Sequence, residues 1–159
     1  MLFYEEGVIH MDNLLVLLNL AAAFYNVGTI WLTQVDWQLW KYVGRETFDA
    51  YHLAWWHSVW WSIFPLAGAS FVGICAQLFW RPSVPLWMLW SALIIQLLAH
   101  SGTAFWWGRG QGKLKQVVLP HRGIDPLYQT LVRTNWIRVA LFTFAGLMQL
   151  WIALVNFSH

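Results

Sequence analysis

Four long apolar stretches, at about 14–35, 53–80, 84–107 and 136–157, carry almost no charge. A helix needs roughly 20 mainly apolar residues to cross about 30 Å of hydrocarbon, and each stretch meets that length. In the bilayer core every backbone N–H and C=O must be paired within the protein, so continuous runs of this length are expected to cross as α-helices. The sequence therefore predicts an all-α, integral membrane four-helix bundle. Four spans and their short connections use up residues 1–159, which predicts a single transmembrane domain.

The rest of the composition fits that reading. Of 159 residues, 59% are hydrophobic and only 10% charged, against about 25% charged in an ordinary soluble domain. A net charge of +2 gives no field of the kind that nucleic acid attracts, and no nucleic-acid partner is expected. Cys75, the only cysteine, excludes an internal disulfide and a cysteine-cluster metal centre. Its mid-span position predicts a buried, inert thiol. Residues 1–12 are acidic and lack the basic region of a secretory signal, so the first stretch is expected to remain as a helix.

Prolines and glycines punctuate the spans. Pro82 and Pro85 bracket a tight turn, and Pro65 is expected to kink the second span. Gly108, Gly110 and Gly112 are expected to open the longest loop, running to about Arg133, and the segment from Arg45 to His52 reads as helical. Lys41, Arg45, Arg109, Lys113, Lys115, Arg122, Arg133 and Arg138 fall on one side of the spans, and Arg81 alone on the other. That bias places both larger loops in the cytoplasm and both termini on the non-cytoplasmic side.

Fourteen tryptophans are far more than an ordinary domain carries. Many fall near span ends (Trp31, Trp37, Trp40, Trp55, Trp56, Trp80, Trp87, Trp106, Trp107 and Trp136), where an amphipathic ring suits the headgroup zone. The simplest expectation is an aromatic belt touching lipid or neighbouring subunits.

Polar residues inside the spans are costly, so their positions are informative. Asn19, Asn26 and Thr33 recur every seven residues on one face. Gln96, His100, Thr103 and Trp107 share a face of the third span, and Asn135, Arg138, Gly146 and Gln149 a face of the fourth. Asn26, Gln96 and Gln149 fall near mid-membrane and are expected to form an interhelical amide layer. The small residues Ala69 and Gly73 should let a neighbouring helix approach closely. Alternating topology then brings Gln34, Asp36, His52, His57, His100, Thr103, Asn135 and Arg138 to the cytoplasmic end of the bundle.

Three readings of that cluster stay open. In a structural network, Asp36 neutralises Arg138 and the imidazoles bond to Asn135, Thr103 or water. In a haem or pigment site, His57 and His100 supply axial ligands, and Asp49 and His52, three residues apart, could share a metal. No Glu-x-x-His pair recurs on two helices, which disfavours a carboxylate di-iron bundle, and no metal site is assigned. In an acid–base site, a histidine removes a proton from a phenol or hydroquinone-like substrate and Arg138 stabilises the oxyanion. His10, His121 and His159 fall in loops or termini and are expected to be solvated.

The stretches Gln34–Val35, Tyr42–Val43–Gly44, Phe48, Tyr51–His52 and Leu131–Val132–Arg133–Thr134–Asn135–Trp136–Ile137–Arg138 resemble small four-span bacterial membrane proteins, a group distantly similar to the anthrone-oxygenase-like membrane family. The resemblance covers most of the chain on short motifs. It implies a four-span bundle, a bacterial inner membrane and oxygenase-like activity on an aromatic substrate. Members of that group tend to carry a histidine shortly after the Gln-Val pair. Here Gln34–Val35–Asp36–Trp37–Gln38 has none, which counts against retained activity.

The leading expectation is thus a non-catalytic accessory subunit of a larger membrane assembly, a respiratory or photosynthetic one, in contact with lipid and other transmembrane subunits. The alternative is a membrane oxygenase or isomerase acting on an aromatic or quinone-like substrate through His52, His57, His100, Asp36 and Arg138. A third is a haem- or pigment-binding subunit with His57 or His100 as axial ligand. A transporter is disfavoured, because the sequence shows no paired broken helices.

Overall fold

In the computed structural model the chain is all-helical, and residues 11–44, 46–114 and 126–158 are described. Arg45, Lys115, Arg122, Glu5, Glu6, His10, His121 and His159 lie outside the described residues. Helix α1 (Met11–Leu39) ends in a 3-10 turn at Trp40–Tyr42. Helices α2 (Phe48–Ser62) and α3 (Phe64–Phe79) form the second apolar unit. Helix α4 (Leu86–Gly102) continues through a π-helical stretch, Thr103–Trp107, into α5 (Gly108–Leu114). Helix α6 (Pro126–Asn156) is the last.

These units run for 32, 32, 29 and 31 residues and are long and apolar enough to cross a membrane. At 1.5 Å per residue they reach about 44–48 Å, roughly the bilayer core plus its interfaces. Each is longer than the span expected from the sequence. The excess is largest around the expected glycine loop. Gly108, Gly110 and Gly112 are helical, and α6 starts at Pro126, a residue suited to the first helical turn. The reason is tertiary: a Cβ on Gly110 would sit 2.5 Å from Leu131 Cδ2. Glycine there lets α5 pack onto α6, and that contact outweighs its poor helix propensity.

The second unit breaks as expected. Pro65 has no N–H, and its ring crowds the carbonyl one turn earlier. The helix parts at Ile63, whose N–H still bonds to Val59 O (3.0 Å) while its carbonyl accepts from Ala67 N (2.9 Å).

The spans close into a ring in which α1 packs on α3 and α6, and α4 packs on the same two helices. Close approaches are made where side chains vanish. A Cβ on Gly146 would lie 2.6 Å from Val27 Cγ2, and one on Gly73 2.7 Å from a terminal atom of the Asn19 amide. Of the two small residues expected to admit a neighbour, Gly73 does so, while Ala69 is exposed on the outer face.

Three apolar layers stack along the bundle. Val16, Ile74, Met88, Leu89 and Ile152 fill one end. Ile30, Ala99, Val139 and Phe142 fill the middle. Trp37, Trp40, Phe48, Trp107, Leu114, Tyr128 and Leu131 fill the end that carries Lys41, Arg109 and Arg133. The opposite end is tied by Asn156, which donates to Asn13 Oδ1 (2.7 Å) and accepts from Ser83 N (2.9 Å). The outer surface is apolar, with Trp61 85% and Phe79 83% exposed.

The aromatic belt needs one correction. Trp37, Trp40 and Trp107 are buried, not turned to lipid. They help form the core of the basic end, where Trp37 and Trp107 face the buried guanidinium of Arg138.

Candidate functional site: a cavity beneath the broken helix

Two hydrogen-bonded layers frame the site. The first joins α1, α3, α4 and α6. The Asn19 amide donates to Ser70 O (2.9 Å) and accepts from Gln149 Nε2 (3.2 Å) in the orientation that satisfies both groups. Gln96 Nε2 donates to Ser70 Oγ (3.2 Å). Gln96 and Gln149 share this layer with Asn19, and Asn26 is not part of it. Gly73 decides this, since it is the residue that opens α3 to Asn19. Asn26 lies two turns farther along α1, at the cavity.

The second layer lies toward the basic end. Asn135 Nδ2 donates to Gln34 Oε1 (2.6 Å), and Gln34 Nε2 donates to Val132 O (3.3 Å). Tyr128 donates from its hydroxyl to Trp37 O (2.5 Å), one of the carbonyls that the end of α1 leaves without a helical partner.

Between these layers α2 packs on α3 but stands off from α1 and α4. The break at Ile63 leaves a cavity of about 580 Å³. Trp55, Trp56 and Val59 of α2, with Phe64 and Ala67 of α3, form one wall. Ile30 and Phe142 face them. Asn26, Thr33, His100, Thr103, Gln111 and Arg138 supply the polar lining. A groove of about 340 Å³ on the outer seam between α1 and α2 shares Thr29, Thr33, Trp55, Val59 and Ile63 with the cavity. Two hydrogen bonds bridge that seam, from Tyr25 OH to Ser62 O (2.6 Å) and from Tyr51 OH to Asp36 Oδ1 (2.8 Å).

Arg138 is buried, and its guanidinium lies 5.2 Å from the Trp37 ring centre and 5.6 Å from that of Trp107. The π-helical stretch sets up the second contact. Its wider turn brings Trp107 back over Gly102, where a Cβ would be 2.5 Å from the indole. Trp107 Nε1 then donates to Thr134 Oγ1 (3.2 Å). An arginine at a helix centre costs about 2.5–3.5 kcal/mol to insert. Each cation–π contact returns about 0.5–2 kcal/mol. The rings offset much of the cost but accept no proton, and Arg138 Nε has no hydrogen-bond partner among the described residues.

The expected pairing of Asp36 with Arg138 is not formed. Asp36 accepts from Trp40 Nε1 (3.1 Å) and Tyr51 on the outer seam. Both partners sit within reach along or across the seam, whereas Arg138 points between two indoles.

The histidines separate in the same way. His100 Nδ1 lies 2.8 Å from the backbone carbonyl of Gln96, which can only accept, so Nδ1 carries a proton and the lone pair of the neutral ring lies on Nε2. That Nε2 is buried without a partner among the described residues. His52 is enclosed by Trp40, Phe48 and Trp55 at 5.2–6.1 Å and does not line the cavity. His57 is exposed on the outer face of α2, so it and His100 are not brought to one site. Among the described residues, no three His, Cys, Asp or Glu side chains gather as a metal site would require.

Of the expected acid–base set His52, His57, His100, Asp36 and Arg138, the structure thus brings Arg138 and His100 alone to this cavity, with Thr103 of the wider cluster beside them. The sequence reading passed over Gln111, hidden in a presumed loop, and the role of Trp55 and Trp56 as walls. Their half-buried placement at the cavity follows the break at Ile63, which periodicity does not register. No family model, curated protein or solved structure matches the chain.

Proposed function

We propose that this chain is a multi-pass membrane protein that takes a lipid-soluble aromatic or quinone-like molecule from the bilayer into the cavity beneath α2. One observation carries the reading. An apolar cavity large enough for a multi-ring molecule is lined by Asn26, His100 and Arg138, each of which holds a buried polar atom (Oδ1, Nε2 and Nε) without a partner among the described residues. Such atoms each cost free energy unless something satisfies them, and a pocket of this make-up is where ligands bind. The groove between α1 and α2 offers a route from the lipid.

The chemistry that the lining supports is proton transfer. With its tautomer held by Gln96, His100 would act as base toward a phenol or hydroquinone-like hydroxyl, and Arg138 would stabilise the oxyanion. This is isomerase-like work within the reach of the chain's own groups. His52, His57 and Asp36 have no part in it. The weighting of basic residues would place this end of the bundle in the cytoplasm.

A docked accessory subunit remains the second reading, on the strength of outward rings such as Trp60, Trp61 and Trp106. Lipid would cover the same face equally well, and three of the tryptophans behind that reading are internal. Solvent extraction of protein purified from its own membrane tests the proposal. A near-stoichiometric aromatic compound, found by absorbance and mass spectrometry, is expected. Phospholipid alone would contradict it.

A further inference from the structure

We propose that the occupant of the cavity is a lipid-soluble aromatic acid whose carboxylate or phenolate sits on Arg138, an inference that rests on the ligand-binding reading above. Arg138 is 6% exposed, lines the cavity and meets no carboxylate among the described residues. Its Nε has no hydrogen-bond partner there. A cation this deep calls for a counter-charge, and the cavity lining includes no Asp or Glu to supply one. Arg109 at the rim is exposed and adds charge of the same sign.

The remaining polar groups narrow the class further. The hydroxyls of Thr29, Thr33 and Thr103 donate to Asn26 O (3.0 Å), Thr29 O (2.8 Å) and Ala99 O (2.7 Å). Their protons are spent within their own helices. Asn26 Oδ1 and His100 Nε2 are acceptors without partners among the described residues. The lining residues thus carry one buried guanidinium and two unpaired acceptor atoms. That pattern fits a molecule with one anionic group and one or more hydroxyls. The His100 ring lies 5.3 Å from Phe142, which follows Arg138 by one turn. His100 therefore lies against the turn of α6 that follows Arg138. Trp55, Trp56, Phe64 and Phe142 offer ring faces and edges to a flat body.

The test compares 2-naphthoate with 2-naphthamide, a neutral molecule of nearly the same shape, by titration calorimetry on the full chain in phosphatidylcholine nanodiscs, with empty nanodiscs subtracted. The acid should bind about tenfold or more tightly than the amide, as a charge-assisted contact implies. Arg138→Gln should abolish that preference while the amide still binds, and Arg138→Lys should keep part of it. Should Arg138→Gln fail to fold, the acid–amide comparison in the unaltered chain and in Arg138→Lys still decides. Equal binding of acid and amide would overturn the anionic ligand yet leave the cavity reading standing, and is the result expected if a lipid phosphate already holds the guanidinium. Binding of neither probe would overturn both.

Discussion

The guanidinium of Arg138, on the last span, lies 5.2 Å from the ring centre of Trp37, on the first, and both are buried. A ring face attracts a cation without quenching its donors. The contact therefore keeps the charge inside the bundle and leaves it available to a ligand. Trp37→Phe preserves a smaller π-face, whereas Trp37→Leu removes it. We expect Trp37→Leu to destabilise the protein by about 2–4 kcal/mol and Trp37→Phe by less. Unfolding in mixed detergent micelles measures both, and equal losses would show that volume alone matters at this position.

Gly73 and Asn19 set the register of the amide layer. Gly73→Ala would put a methyl group 2.7 Å from a terminal atom of the Asn19 amide and 3.1 Å from its Cβ. The amide must then leave Ser70 and Gln149, at a cost of about 1–3 kcal/mol. Gly68→Ala, where nothing lies within 4 Å, is the matched control and should be nearly neutral. In the double variant Gly73→Ala with Asn19→Ala, the two losses should be clearly less than additive, because both remove the same contact.

Across the seam, Tyr25 and Tyr51 are the two hydroxyls that hold α2 to α1. Tyr25→Phe and Tyr51→Phe each remove about 1 kcal/mol of bridging. Helix α2 should then open more often, and backbone amides near Ile63 should exchange hydrogen faster than in the unaltered protein. Unchanged exchange would mean that the seam is held by packing alone.

Much of this architecture is legible in the sequence, for reasons that can be named. Long apolar runs mark the spans whatever their tertiary partners, and Pro65 must interrupt a helix wherever it falls. The seven-residue stripe of Asn19, Asn26 and Thr33 faces inward because lipid offers amides nothing. What stays hidden depends on partners distant in the chain. Whether Asn19 or Asn26 joins the amide layer is decided by Gly73 on another helix. Gly110 is helical because Leu131 packs on it. Trp37 and Trp107 resemble belt residues until Arg138 draws them inward. Asp36 and Arg138 look like a pair by charge, yet Tyr51 and Trp40 claim the carboxylate. The cavity itself arises from how α2 leans, and local periodicity carries no record of that.

Ala67 and Ala69 allow a direct test of the cavity, because they lie two residues apart on α3 with opposite surroundings. Ala67 is buried and lines the cavity, and Ala69 is exposed on the outer face. Native mass spectrometry of the protein released from its own membrane should show one tightly held small molecule on the unaltered chain and on Ala69→Trp, and none on Ala67→Trp. A bound mass that persists in Ala67→Trp, or is absent from the unaltered chain, would contradict the account.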